Sequence, residues 1–127
     1  MGGNAYVGKN GTGLVELGTG GVFNVTGNAD MCSGATLKFV FGPSGTGAVR
    51  VGGNFVVDGG AHLVIDLSSY GDNSGRYRLV QAARTLGEFD LANVEIIGKP
   101  DTQRCTLTSR NGVLSCSIGR GFILIVE

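Results

Sequence analysis

Apolar side chains between residues 45 and 67 recur at every second position, within three short segments that glycine pairs separate. The positions are Val49, Val51, Phe55, Val57, Leu63, Ile65 and Leu67. Successive side chains of a strand point to opposite faces, so this period of two predicts half-buried β-strands. The alternation returns over 35–41 and 76–80, and no stretch from 1 to 70 shows a helical period. The pattern therefore predicts an all-β chain with glycine-rich corners.

Other stretches carry weaker signals. Residues 28–34 are predicted as a loop, and 81–86 as a strand end or a short helical turn. Residues 87–91 and 93–97 are predicted as further strands. The stretch 121–126 is apolar on both faces, which predicts a central strand or a contact with a partner molecule.

An internal echo indicates a repeat. Residues 11–18 align with 45–52 at an offset of 34 residues, and an aromatic-bearing strand follows each copy. In that alignment Glu16 and Arg50 occupy the same outward position. The pair is predicted to be two solvated surface residues, the alternative being a charge ladder across coils.

The last third predicts an antiparallel hairpin. Segments 105–108 and 113–118 flank 109–112, which contains Asn-Gly, the strongest short hairpin signal. With a four-residue loop, Cys105 faces Cys116 and Leu107 faces Leu114. A disulfide between Cys105 and Cys116 is then predicted, the alternative being two small buried thiols. Cys32 is left over in a loop as a free, idle thiol.

Composition narrows the class of protein. The chain of 127 residues contains 24 glycines, well above the usual share of about 7%, yet 42% of its residues are hydrophobic. It is long enough for one domain with a core, and too apolar for disorder. Ten basic residues balance ten acidic ones and form no visible stripe, so nucleic acid is not an expected partner. No apolar run reaches the length of a membrane span.

Residues 1–5 do not resemble a signal peptide, and the strand pattern follows at once, so we expect a piece of a longer chain.

Candidate catalytic and metal-binding residues are few. His62 is the single histidine, and along one strand it stands about 13 Å from Asp66, too far for a hydrogen bond. The loop 72–75 could hold calcium but lacks further carboxylates, so an ordinary turn is predicted. Sugar cleavage would need a carboxylate pair from Glu16, Asp58 and Asp66, and nothing in the sequence places two of them together. We therefore expect no enzyme and no catalytic, cofactor-binding or metal-binding residues.

Several stretches are similar to a known family. Residues 11–27 and 45–67 resemble the glycine-rich strand repeats of bacterial autotransporter passengers and related large surface proteins. Residues 75–82, followed by Gly87-Glu88-Phe89, resemble the segment that closes such solenoids, and residues 112–126 resemble its capping strands. The resemblance implies a right-handed parallel β-helix that is secreted and displayed at the cell surface as an adhesin or a stalk. It brings no catalytic residues.

These observations define the expected protein. The fold is an all-β, right-handed parallel β-helix with a C-terminal antiparallel hairpin cap, and a β-sandwich is the alternative. Residues 1–127 form a single domain, with coils over 1–70 and closing strands and cap over 71–127. The function is a non-enzymatic structural or adhesive surface module, and the alternatives are a carbohydrate-binding β module and a polysaccharide-cleaving β-helix enzyme. Expected partners are a second copy, through the open N-terminal edge or the C-terminal strand, and a host or matrix surface ligand.

Overall fold

The structure is a computed structural model that describes residues 3–9, 11–71, 74–99 and 103–120. Within these ranges the chain forms short strands joined by tight corners and one 3-10 helix. The strands are β1 Ala5–Val7, β2 Gly13–Leu17, β3 Val22–Val25, β4 Ala29–Met31, β5 Ala35–Val40, β6 Ala48–Val51, β7 Asn54–Val57, β8 His62–Asp66, β9 Gly75–Gln81, β10 Arg84–Leu86, β11 Val94–Ile97, β12 Gln103–Arg110 and β13 Val113–Arg120. The 3-10 helix is Leu91–Asn93.

The strands stack into three sheets, one on each side of a parallel β-solenoid of about three turns. The first sheet runs β1-β4-β7-β10, and the second runs β2-β5-β8-β11. The third runs β3-β6-β9-β13-β12, and its last two strands are antiparallel. The predicted parallel β-helix with a C-terminal antiparallel pair is confirmed, and the β-sandwich alternative is wrong because neighbouring coils pair in parallel.

Coil length follows from the register. Ala5 lies beside Ala29 and Ala29 beside Phe55, so the first two coils are 24 and 26 residues long. The predicted 34-residue repeat is wrong, because its two copies lie on different sides of the solenoid. Glu16 lies on β2 in the second sheet and Arg50 on β6 in the third, so they do not share an outward position.

Asparagines form a ladder at the corner that precedes the first sheet. The backbone N–H of Asn28 donates to Asn4 Oδ1 over 2.8 Å, and that of Asn54 donates to Asn28 Oδ1 over 2.8 Å. A glycine precedes each asparagine, and the N–H of Gly53 donates to the carbonyl of Gly27 over 2.8 Å. The ladder fixes the register of successive coils with hydrogen bonds that do not belong to any sheet.

Inward side chains line up in columns that run along the solenoid. In the second sheet the register places Val15, Leu37, Leu63 and Val94 in one column. The next inward column contains Leu17, Phe39, Ile65 and Ile96. Members in the middle coils, such as Leu37 and Phe39, are fully buried. Burial of each such side chain stabilises the fold by roughly 1.5–3 kcal/mol, so the alternating residues hold the coils together.

An aromatic cluster fills the corner between the second and third sheets. The rings of Phe41, Tyr70 and Tyr77 meet edge to face, with centroids 5.1–5.9 Å apart. The hydroxyls of Tyr70 and Tyr77 are 2.7 Å apart and form a hydrogen bond. Burial of Tyr70, reinforced by this bond, raises the pKa of its phenol well above the usual value. The polar ends of the two tyrosines are thus paired inside the core.

Two elements differ from the prediction. The predicted loop 28–34 contains β4, which is only three residues long and sits among turn-forming residues, so its alternation could not be recognised. The predicted strand 87–91 is a loop that runs into the 3-10 helix, and β10 occupies part of 81–86. The predicted strand 121–126 lies outside the described residues.

The hairpin has a tighter turn than expected. Arg110 pairs with Val113, so the loop is only Asn111-Gly112, and both residues have positive φ (51° and 80°). This geometry is that of a two-residue turn whose twist matches the flanking strands. The predicted pairing of Cys105 with Cys116 and Leu107 with Leu114 is therefore shifted by two residues: Cys105 lies opposite Ile118, and Leu107 opposite Cys116. A shift of two leaves every side chain on its predicted face.

Candidate functional site

The two hairpin cysteines lie diagonally across the β12–β13 pair. Their Sγ atoms are 3.2 Å apart, which is hydrogen-bonding contact and longer than the ~2.05 Å of an S–S bond, and both are free thiols. The Cys116 hydrogen bond, helped by Lys99, lowers the pKa of the Cys105 thiol. The bond to Cys105 and burial raise the pKa of Cys116. Cys105 is thus the better nucleophile of the pair, with a second sulfur in reach.

A second cluster lies at the end of the first sheet. Asp30 is on β4, Cys32 follows this strand, and Asp58 occupies the equivalent corner one coil later. One potential ligand atom from each lies within 4.8 Å of the other two. Asp30 Oδ1 is shielded from solvent without a hydrogen-bond partner among the described residues. Burial, and then the neighbouring Asp58 carboxylate, raises the pKa of Asp30 above its usual range.

This cluster contains donors that metal ions use, but too few of them for a closed site. A structural zinc site takes four ligands, whereas this corner offers two carboxylates and one thiol. Burial, with Asp30 and Asp58, raises the pKa of Cys32, so the thiol form is favoured. Sequence reasoning missed the cluster because Asp30 and Cys32 were assigned to a loop and Asp58 is a coil away. Once the coil length is known, the spacing of 26 residues between Cys32 and Asp58 brings them together.

The predicted carboxylate candidates separate into two places. On the outer face of the second sheet, Lys38 Nζ lies 3.4 Å from Glu16 and 4.0 Å from Asp66. These three residues form a charge ladder across three coils, which replaces the Glu16–Arg50 pairing considered from the sequence. Hydrogen bonds from Ser68, and then Lys38, lower the pKa of Asp66. Asp58 lies instead beside Asp30.

His62 belongs to neither of these clusters. His62 is exposed at the first position of β8, beside Thr36 of the preceding coil, and four residues before Asp66 on the same strand. Of the stretch 72–75, which was considered for calcium and predicted to be an ordinary turn, residues 72 and 73 lie outside the described part of the chain.

An apolar cavity lies where the hairpin meets the last coil. It has a volume of about 150 Å³. Its apolar lining includes Phe55, Val57, Leu63, Phe89, Leu107 and Leu114. Thr85 also lines it, and the Thr85 hydroxyl is buried without a hydrogen-bond partner among the described residues. Glu88 and Ser109 line it as well, so the space has a polar side beside its apolar one.

Comparisons of the chain with protein families, with curated proteins and with solved structures give no match. Within the described ranges, no helix has the length and apolar character needed to cross a membrane. The arguments for function therefore come from the solenoid itself and from its surface.

Proposed function

We propose that this chain is a non-enzymatic structural and adhesive module of a secreted or surface-displayed bacterial protein. The observation that carries the proposal is the in-register stacking of three sheets along one axis. Such stacking resists bending, and it repeats outward side chains at a spacing of about 4.8 Å, which suits extended surfaces. The glycine-rich strand repeats and the closing segment over 75–89, which resemble autotransporter passengers, favour display at a cell surface.

Adhesion is tested with beads that carry the folded chain. We expect such beads to attach to cultured epithelial cells or to extracellular matrix more often than beads coated with albumin. Beads that carry Phe39→Asp, which places a charge at a fully buried position of the core, should lose that attachment. Attachment no greater than that of albumin beads on both surfaces would refute the adhesive role.

Self-association is proposed through the open edge of the first coil. The strands β1, β2 and β3 are each the last strand of a sheet, and each carries an exposed apolar side chain. Tyr6, Leu14 and Val22 are 55%, 62% and 48% exposed. Unpaired strand edges with apolar side chains favour pairing with another chain. Sedimentation should show dimers that Leu14→Lys abolishes, whereas the control Leu86→Lys, at the far end of the first sheet, should leave them intact. Monomers at every concentration would refute the pairing.

Polysaccharide cleavage is the second candidate function, and the Asp30–Asp58 pair makes it possible to test it specifically. Two carboxylates close together, one with a raised pKa, are the elements of glycoside hydrolysis. Cleavage would release reducing ends or unsaturated sugars from a polysaccharide panel, and Asp30→Asn or Asp58→Asn would abolish this release. We expect no product from the unaltered chain. Release that either substitution removes would replace the non-enzymatic proposal.

A further inference from the structure

Four arginines and four hydroxyls share the outer face at the antiparallel end of the third sheet. On β9, β13 and β12, the inward positions include Leu79, Cys116 and Ile118, which are buried. The alternating outward positions carry Arg76, Arg78, Arg104 and Arg110. Between them stand the hydroxyls of Thr106, Thr108, Ser115 and Ser117. We call these eight residues the basic face.

The strand register turns the basic face into a grid. Thr106 lies opposite Ser117, and Ser117 opposite Arg76. Thr108, Ser115 and Arg78 form the parallel row. Rows are separated by about 7 Å, and neighbouring strands by about 4.8 Å. Arg104 and Arg110 stand at the two ends of β12, about 20 Å apart, so the face is long as well as flat.

The positive charge of this face is not neutralised by its own strands. β9, β12 and β13 contain no acidic residue. Among the described residues, both ion pairs are made by Lys38 on the second sheet, far from this face. All four arginines are exposed. The net charge of zero therefore conceals a local excess of positive charge on these three strands, although Glu88 lies near Arg110 at one end of the face.

We propose that the basic face binds a linear acidic polysaccharide, one that carries carboxylate or sulfate groups along its length. Guanidinium groups bind such anions through two parallel hydrogen bonds, which favours arginine over lysine. The serine and threonine hydroxyls both donate and accept, so they match the hydroxyls of a sugar chain. The proposal names a partner for the adhesive module and rests on that proposed function.

Other anionic partners fit the basic face less well. Its eight members include no aromatic side chain, on which single-stranded nucleic acid would stack. The hairpin is hydrogen-bonded to β9 in a wider sheet, so it is not the free two-stranded ribbon that enters a major groove. None of the eight is an apolar side chain that could insert into a lipid surface.

Sequence reasoning did not find the basic face because its arginines come from distant segments. Arg76 and Arg78 are separated from Arg104 by the last coil, and no basic run exists. The available signal was the pair of arginines at alternate positions of the predicted strand 76–80, together with Arg104 and Arg110, which flank the first strand of the predicted hairpin.

Binding is measured with two immobilised acidic polysaccharides and with neutral dextran as the control. Heparin carries both sulfate and carboxylate groups, whereas polygalacturonate carries carboxylate groups alone. We expect binding to one or both acidic chains, none to dextran, and steep weakening as salt is raised. Arg78→Gln should weaken binding about tenfold, the loss of one charge-assisted pair. The affinity of Arg78→Lys should lie between that of the unaltered chain and that of Arg78→Gln, because lysine keeps the charge but cannot form the two parallel hydrogen bonds of a guanidinium.

The matched control is Lys9→Gln, which removes one positive charge after β1, at the other end of the solenoid. It should bind as the unaltered chain does, and unchanged unfolding midpoints should show that all the variants fold. Absence of binding to both acidic polysaccharides, or equal losses for Arg78→Gln and Lys9→Gln, would overturn the proposal. So would tighter binding to duplex DNA or to anionic phospholipid vesicles. Bead adhesion without polysaccharide binding would refute this partner and leave the adhesive role standing.

Discussion

The side-chain Oδ1 atom of Asn28 accepts a hydrogen bond from the backbone N–H of Asn54, 2.8 Å away and one coil further along the chain. Asn4 and Asn28 repeat this relationship with the same distance. Each asparagine therefore satisfies a donor at a corner, where the chain passes between sheets. Gly-Asn pairs recur once per coil, at 3–4, 27–28 and 53–54, so their spacing in the sequence equals the coil length.

The asparagine ladder predicts a contrast between two otherwise similar substitutions. Asn28→Ala removes the acceptor for the Asn54 N–H and should lower the free energy of unfolding by about 1 kcal/mol. Asn54→Ala is the control, because it alters the same corner in the next coil, where the side chain makes no hydrogen bond to the described residues. Urea unfolding followed by circular dichroism would measure both. Equal stabilities for the two variants would contradict the ladder.

Gly53 should tolerate no side chain. A Cβ there would overlap Asn28 Oδ1 and lie 2.9 Å from the carbonyl oxygen of Gly27, so the corner would have to move. Gly53→Ala should cost about 1–3 kcal/mol, the range for overpacked sites. Gly59→Ala is the matched control, because a Cβ at this corner meets nothing within 4 Å and its φ is not positive. Thermal unfolding would compare them, and a midpoint for Gly53→Ala at or above that of Gly59→Ala would refute the prediction.

The fold was predictable because the core depends on a signal that is local in sequence. Leu37 is an apolar residue between the polar Thr36 and Lys38, and that alternation alone places it inside a strand-built core. Coil length depends on which strands become neighbours, and the 34-residue echo matched β2 to β6 through shared glycines and valines rather than through shared corners. Asp30 and Asp58 meet only after the coils stack, and Arg78 and Arg110 come to one face only after the hairpin pairs with β9. Their proximity could not be predicted until the coil length was known.

Asp30 should destabilise the folded chain at neutral pH. Its pKa is raised above the ordinary value of 3.8, so the folded state binds its proton more tightly than the unfolded chain does. The unfavourable contribution is complete above the raised pKa and vanishes as the pH falls below 3.8. Asp30→Asn should therefore stabilise the chain at pH 7, by about 0.5 kcal/mol for a pair near the surface, and not at pH 3.

Asp66 provides the control of opposite sign. Its pKa is lowered, so its ionised form stabilises the folded chain above pH 3.8, and this contribution is lost as the pH falls through the lowered pKa. Asp66→Asn should thus destabilise at pH 7, and its effect should shrink in acid. Urea unfolding at several pH values measures both variants. A loss of stability for Asp30→Asn at pH 7 would contradict the conclusion that burial and the Asp58 charge outweigh the favourable contacts of the Asp30 carboxylate.

Mild oxidation of the folded chain should join Cys105 to Cys116. Their sulfurs are in contact. Because the pKa of Cys105 is lowered, its thiol ionises more readily to the thiolate that begins the reaction. After diamide treatment and denaturation, one of the three thiols should remain, and peptide mapping should assign it to Cys32. The bond should stabilise the chain by about 2–3 kcal/mol, since it closes only a short loop. Cys32→Ser should still form the bond, leaving no free thiol, whereas Cys116→Ser should keep both of its thiols. Three thiols after oxidation of the unaltered chain would show that the diagonal geometry of the pair prevents closure.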